Sequence, residues 1–76
     1  MRPLEAEHQG WRIRVIAHPV GRGVWSALVE VRAPGSADAA EAQIVPFNAT
    51  LPSEKLAQAA GRTAAIRWLE REAKRG

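Results

Sequence analysis

The chain has 76 residues, of which 46% are hydrophobic and 25% are charged. This length allows one small domain, and this composition excludes extensive disorder and fibrous repeats. The absence of cysteine excludes disulfides, thiolate metal sites and thiol nucleophiles. Eleven Lys and Arg residues against eight Asp and Glu residues give a formal net charge of +3, which favours attraction to anions such as nucleic acid.

The N-terminal residues 1–9 are polar and show no clear period, so we predict a loose arm that precedes a single domain at 10–76. The first residues lack the apolar core of a secretory signal. No apolar run approaches the roughly 20 residues that a membrane helix needs. We therefore expect a cytoplasmic protein that does not enter a membrane.

Two strands are predicted from alternating side chains. Trp11, Ile13 and Val15 alternate with charged residues over about 10–18, and a similar alternation runs over about 23–32. The short connection between these strands contains two glycines, which favours a tight turn. The two strands are therefore expected to form an antiparallel hairpin.

A third and weaker strand is predicted over about 41–48, after a loop at 33–40 that is rich in small residues. Pro46 falls inside this strand. Because proline has no N–H for the sheet ladder, the third strand is expected at an edge of the sheet or at a bulge.

One helix is predicted over about 52–74, with Thr50 or Ser53 as its N-cap. Small and apolar residues recur along it every four positions: Ala57, Gly61, Ala65 and Leu69. This spacing places them on one face of the helix. Glycine weakens a helix interior, so Gly61 indicates close packing of the helix against the sheet.

The predicted fold is α+β, with the order β-β-β-α: a three-stranded antiparallel meander with the helix packed on one face. The patterned apolar face includes all three tryptophans, so we expect Trp11, Trp25 and Trp68 to anchor the core.

A single helix covers one face of such a sheet and leaves the other face available. The alternation places on that face a mixture of arginines and aliphatic residues, the candidate interaction residues: Arg12, Arg14, Ile16, Leu28, Arg32 and Ile44. Apolar groups rimmed by charge are typical of contact surfaces. We therefore expect self-association, as a homodimer, or docking of an unknown partner protein. Binding of nucleic acid through the arginines of the same face is the alternative.

The sequence offers no catalytic, cofactor or metal site and indicates no small-molecule substrate. His8 and His18 are the two histidines, and neither has a partner at metal-ligand spacing. We expect both to be exposed to solvent. No nucleophile, base and orienting residue can be assembled from the chain, so an enzyme is not expected.

The helix pattern Ala57-x3-Gly61-x3-Ala65-x2-Trp68-Leu69-Glu70, together with the alternating strands, resembles a group of short uncharacterised bacterial proteins of β-β-β-α layout. The matching positions are packing positions, so this resemblance implies a fold and no activity.

The β-β-β-α layout also resembles the small integrase-type and plant transcription-factor DNA-binding domains, whose open sheet enters a DNA groove. Arg12, Arg14 and Arg32 fit that role, whereas the glutamate and aliphatic residues between them fit it poorly. This second resemblance concerns topology, which does not establish function.

Overall fold

The structure, a computed structural model, describes residues 3–35 and 42–75, with side chains as far as Glu72. Four strands and one helix follow one another along the chain: β1 (Leu4–His8), β2 (Trp11–Gly21), β3 (Val24–Arg32), β4 (Gln43–Val45) and α1 (Glu54–Arg75). The strands form one antiparallel sheet in the order β1-β2-β3-β4. The α+β class, the antiparallel meander and the C-terminal helix are therefore confirmed, with one strand more than predicted.

The additional strand is β1, so the prediction of a loose arm is wrong for Leu4–His8. These residues pair with β2, from Leu4 opposite Val15 to His8 opposite Trp11. The two residues between the strands, Gln9 and Gly10, have φ angles of 51° and 86°. Positive φ at both positions is the geometry of a two-residue hairpin turn whose twist matches that of the strands. The hairpin turn and the pairing with β2 stabilise this strand, although its own apolar pattern is weak.

β2 and β3 form the predicted hairpin, and their side chains alternate between the two faces of the sheet as predicted. The turn between the two strands is at Arg22 and Gly23. β2 continues beyond the predicted end and includes Pro19, where the register shifts before Gly21. β1 reaches only as far as Val15, so β2 is an edge strand from the next residue onward. An edge position tolerates a proline, because no neighbouring strand needs its missing N–H on that side.

β4 is much shorter than the predicted strand at 41–48 and lies at the edge of the sheet. It ends at Val45, immediately before Pro46, which confirms the expected edge position. The chain returns to β3 at Leu51, whose N–H and C=O each bond the backbone of Trp25 at 2.8 Å. Residues 46–50 therefore bulge away from β3 between two points of pairing. Residue 41 of the predicted strand lies outside the described residues.

The N-terminus of the helix is capped by one of the two polar residues that the sequence offered. Ser53 Oγ accepts a hydrogen bond from the Leu56 N–H at 3.1 Å, so Ser53 rather than Thr50 is the N-cap. The Ala57 N–H donates to the Ser53 carbonyl at 3.0 Å, which closes the first helical turn. Glu54 lies in that turn, where its carboxylate complements the positive end of the helix dipole.

The helix crosses the middle of the sheet at very short distance. A Cβ built on Gly61 would lie 2.6 Å from Cγ1 of Val15 and 3.1 Å from Cγ2 of Val29. Only glycine fits at this distance, so the predicted close packing is confirmed. The largest fully buried side chains are β-branched and come from the two central strands: Ile13, Val15, Val29 and Val31.

The tryptophans are not the anchors that the sequence predicted. Trp11 and Trp68 are half-buried and pack against the margin of the core, and Trp25 is also half-buried. The physical reason is the low position of the helix. Because its backbone approaches the sheet at Gly61, the centre of the core has room for valine and isoleucine but not for an indole.

Candidate interaction face

Among residues 3–35 and 42–75, the helix covers one side of the sheet and no element covers the other side, which carries every candidate interaction residue. The register brings together on it side chains from all four strands, which we call the open face: Glu5, Glu7, Arg12, Arg14, Ile16, Leu28, Glu30, Arg32 and Ile44. The opposite side chains of the same strands lie under the helix.

Three aliphatic residues form a cluster on the open face. Ile16 lies directly opposite Leu28, and Ile44 lies opposite Glu30, one diagonal step from Leu28. Side chains in such positions are close enough to contact each other. Leu28 is 41% exposed and Ile44 is 56% exposed, whereas Ile16 is half-buried. The structure therefore places together the three residues that the sequence assigned to one patch.

The arginines of the open face stand beside glutamates that the sequence reading placed in the loose arm. Glu5 is opposite Arg14, and Glu7 is opposite Arg12. Arg14 also has Glu30 opposite it on its other side. Three glutamates therefore accompany the three arginines, and the open face has no net charge.

The signal that would have revealed these glutamates is the Gln9–Gly10 pair. Glycine as the second residue of a two-residue connection favours a hairpin turn, and pairing across that turn places the preceding glutamates beside the arginines that follow. The turn signal is weak because Gln, unlike Asn or Asp, does not favour positive φ.

The charged end of the open face contains a shallow open cleft of about 490 Å³ between β1, β2 and β3. Glu5, Glu7, Arg12 and Arg14 line it, together with Glu30 and Arg32. Across the strands the row Glu5–Arg14–Glu30 alternates in sign, whereas the next row has Glu7 beside two neighbouring arginines. The cleft therefore presents both signs of charge rather than an anion-binding surface alone.

The aliphatic end of the open face stops at Ser26. Although the alternation places Ser26 on this side of β3, it is buried, with 8% of its surface exposed. Its Oγ donates to the Ala49 carbonyl at 3.0 Å. This bond holds the bulging segment across the end of β3 and limits the length of the open face.

The histidines differ from each other in exposure. His18 is exposed, as expected. His8 is half-buried, and its Nε2 is buried with no hydrogen-bond partner among the described residues, so the prediction of exposure is wrong for His8. Its alternation in β1 places it on the side of Leu4 and Ala6, which faces the helix.

Within residues 3–35 and 42–75, no group of three or more His, Asp or Glu side chains is placed to hold a metal ion. The helix in the same part of the chain is not apolar enough to span a membrane.

Comparison of the chain with protein-family models, with curated proteins and with solved structures finds no match. The resemblance to short bacterial proteins of β-β-β-α layout therefore stays a prediction, and functional conclusions depend on the geometry of the surface.

Proposed function

We propose that the protein is a non-enzymatic interaction domain that associates with a second copy of itself through the open face. The observation that carries this proposal is the cluster of Ile16 with the exposed Leu28 and Ile44, beside an equal number of positive and negative charges. Covering exposed aliphatic groups favours association by roughly 25 cal/mol per Å² of apolar surface that becomes buried.

The charges of the open face favour a second copy as the partner. A two-fold axis parallel to the strands, between β2 and β3, lays β2 of one copy over β3 of the other. Ile16 then meets Leu28 of the partner subunit, and Arg14 meets Glu30 of the partner subunit, each contact occurring twice.

Arg12 and Arg32 are also opposite each other in the sheet, so the same axis would bring like charges together at the charged end. Two packed sheets cross at an angle because each is twisted, and they splay apart away from the crossing point. A crossing at Ile16 and Leu28 leaves Arg14 and Glu30, two residues away, within reach of the partner subunit and keeps Arg12 and Arg32 in solvent. The interface is therefore small, and the dimer is expected to be weak.

Sheet-face binding of nucleic acid receives less support than the sequence alone suggested. The glutamates of β1 lie beside Arg12 and Arg14 and lower the positive potential that would attract phosphates. A face with no net charge lacks the excess of Lys and Arg that marks a nucleic-acid interface.

Sedimentation velocity over tens to hundreds of micromolar tests the proposal. We expect the wild-type protein to shift from monomer toward dimer, and we expect Leu28→Lys and Ile44→Lys to remain monomeric at every concentration. The matched control is Leu56→Lys, because Leu56 is 49% exposed on the helix and lies away from the open face. A strictly monomeric wild-type protein, or an equal loss of dimer in the control, would refute self-association through this face.

A further inference from the structure

A groove on the other side of the domain lies between the helix and the chain that leaves β4. Its volume is about 680 Å³. The wall formed by the chain leaving β4 includes Val45 and Phe47, of which Val45 is 3% exposed and Phe47 is half-buried. The bottom of the groove is therefore apolar and partly accessible, which is the form of a site for apolar side chains.

The helix wall of the groove changes character along its length. Ala60, Ala64, Arg67 and Arg71 all line the groove, and their spacing of three or four residues places them on one flank of the helix. The first two are small and apolar, and the last two are exposed cations. Neither Arg67 nor Arg71 has an ion-pair partner among the described residues. One end of the groove is thus apolar and the other is cationic.

The acidic residue at the groove does not cancel these cations. Glu70 also lines the groove, but at 100° per residue its position on the helix lies farther from the flank of Ala60 and Ala64 than that of either arginine. Two guanidinium groups and one carboxylate line this end of the groove, so its charge is positive and favours an anionic group in an occupant.

A sheet edge runs beside the groove. β4 is the last strand of the sheet, and its outer side has no strand partner among residues 3–35 and 42–75. An extended peptide can add to such an edge through backbone hydrogen bonds while its alternate side chains enter a neighbouring groove. Because Val45 lines the groove, the side of β4 that carries Val45 faces the groove.

We infer that this groove binds an extended segment of a partner protein whose apolar side chains are followed by a carboxylate. The order of the apolar side chains and the carboxylate follows from the direction in which the bound segment runs. A strand that adds antiparallel to β4 runs in the same direction as the helix, so its first residues lie beside Ala60 and Ala64 and its last beside Arg67 and Arg71. The helical stripe from Ala60 to Arg71 is about 16 Å long, which matches roughly five extended residues.

The inference does not depend on the open face, which lies on the opposite side of the sheet. The partner chemistry also differs, because two cations and one carboxylate line the groove, whereas the charges of the open face are balanced.

Fluorescence anisotropy with labelled synthetic peptides that have neutral ends tests the inference. The probe is Val-Thr-Val-Thr-Glu, which presents two valines and then a glutamate on one side of an extended chain. The first comparison peptide has the same residues in reverse order, and the second has Gln in place of Glu. We expect the probe to bind, and both comparison peptides to bind about tenfold more weakly, because neither presents a carboxylate at the cationic end of the groove.

The double variant Arg67→Gln with Arg71→Gln is expected to weaken binding of the probe about tenfold. The matched control is Lys55→Gln with Arg62→Gln, which removes the same charge from exposed positions on the other flank of the helix. Equal binding of the forward and reversed peptides, equal losses in the two double variants, or no binding at millimolar peptide would overturn the inference. The Leu28→Lys variant should bind the probe as the wild type does. Failure of the dimer proposal is therefore distinguishable from failure of the groove inference.

Discussion

Gly61 determines how closely the helix and the sheet approach each other. Glycine in the middle of a helix costs roughly 1 kcal/mol relative to alanine. The absent Cβ would stand 2.6 Å from Cγ1 of Val15, far inside van der Waals contact. The cost in helix propensity is offset because the helix lies directly on the two central strands, where Val15 and Val29 are fully buried.

We therefore expect Gly61→Ala to destabilise the protein, although the same substitution stabilises most exposed helices. Overpacking a core costs about 1–3 kcal/mol, which exceeds the propensity gain of roughly 1 kcal/mol. Urea unfolding followed by tryptophan fluorescence measures the difference in free energy of unfolding.

A double-mutant cycle supplies the control for this prediction. Val15→Ala removes the methyl group that a Cβ at position 61 would meet, so Gly61→Ala should be less harmful, or stabilising, in that background. A stabilising effect of Gly61→Ala in the wild-type background would show that the contact is not tight.

The strand β1 changes both the stability and the surface of the sheet. Leu4 and Ala6 are half-buried and pack against the core from its β2 edge. Ile66 also packs against this core, although its position on the helix lies off the main apolar stripe. The helix flank opposite the groove carries Ile66, so the wider sheet explains why an aliphatic residue stands there.

If β1 is part of the folded sheet, Leu4→Ala should lower the free energy of unfolding by about 1–2 kcal/mol, because a half-buried leucine contributes part of the 1.5–3 kcal/mol of full burial. Glu5→Ala, at an exposed position of the same strand, should change it by less than about 0.5 kcal/mol. Thermal unfolding by circular dichroism measures both variants. Identical stability of Leu4→Ala and wild type would instead indicate a loose arm.

The positive charge of the whole molecule is concentrated in its helix. Residues 54–75 contain six Lys and Arg residues against three glutamates, whereas the remainder of the chain has five residues of each sign. The arginines of the open face belong to the balanced part. A positive net charge therefore does not identify the sheet as an anion-binding surface.

This distribution predicts how the protein behaves on an anionic matrix. Arg67→Gln with Arg71→Gln should lower the salt concentration of elution from a cation-exchange column more than Arg12→Gln with Arg14→Gln does. Both pairs remove the same net charge, but Glu5, Glu7 and Glu30 stand beside the second pair, whereas Glu70 is the one acidic residue that lines the groove with the first. An equal decrease, or a larger one for the sheet pair, would contradict local neutralisation.

Local patterns in the sequence were sufficient for the parts of the fold that have strong periodicity. The β2–β3 hairpin, the helix with Ser53 among its candidate caps, and the close approach at Gly61 all follow from residues near one another in the chain. The same patterns correctly grouped Ile16 with Leu28, because strand alternation and a tight turn determine which residues oppose each other.

Other features arose only when distant segments came together. β1 has two apolar residues among five and gains its stability from an existing β2 edge, so its own pattern was too weak to predict it. The groove combines the helix with the segment that leaves β4, and no local periodicity describes that pairing. Which side chains share a face follows from the local geometry of strand and helix, so the sequence alone determines it. The neutral charge of the open face and the small depth of the core depend on which distant elements pack against each other, so only the tertiary structure decides them.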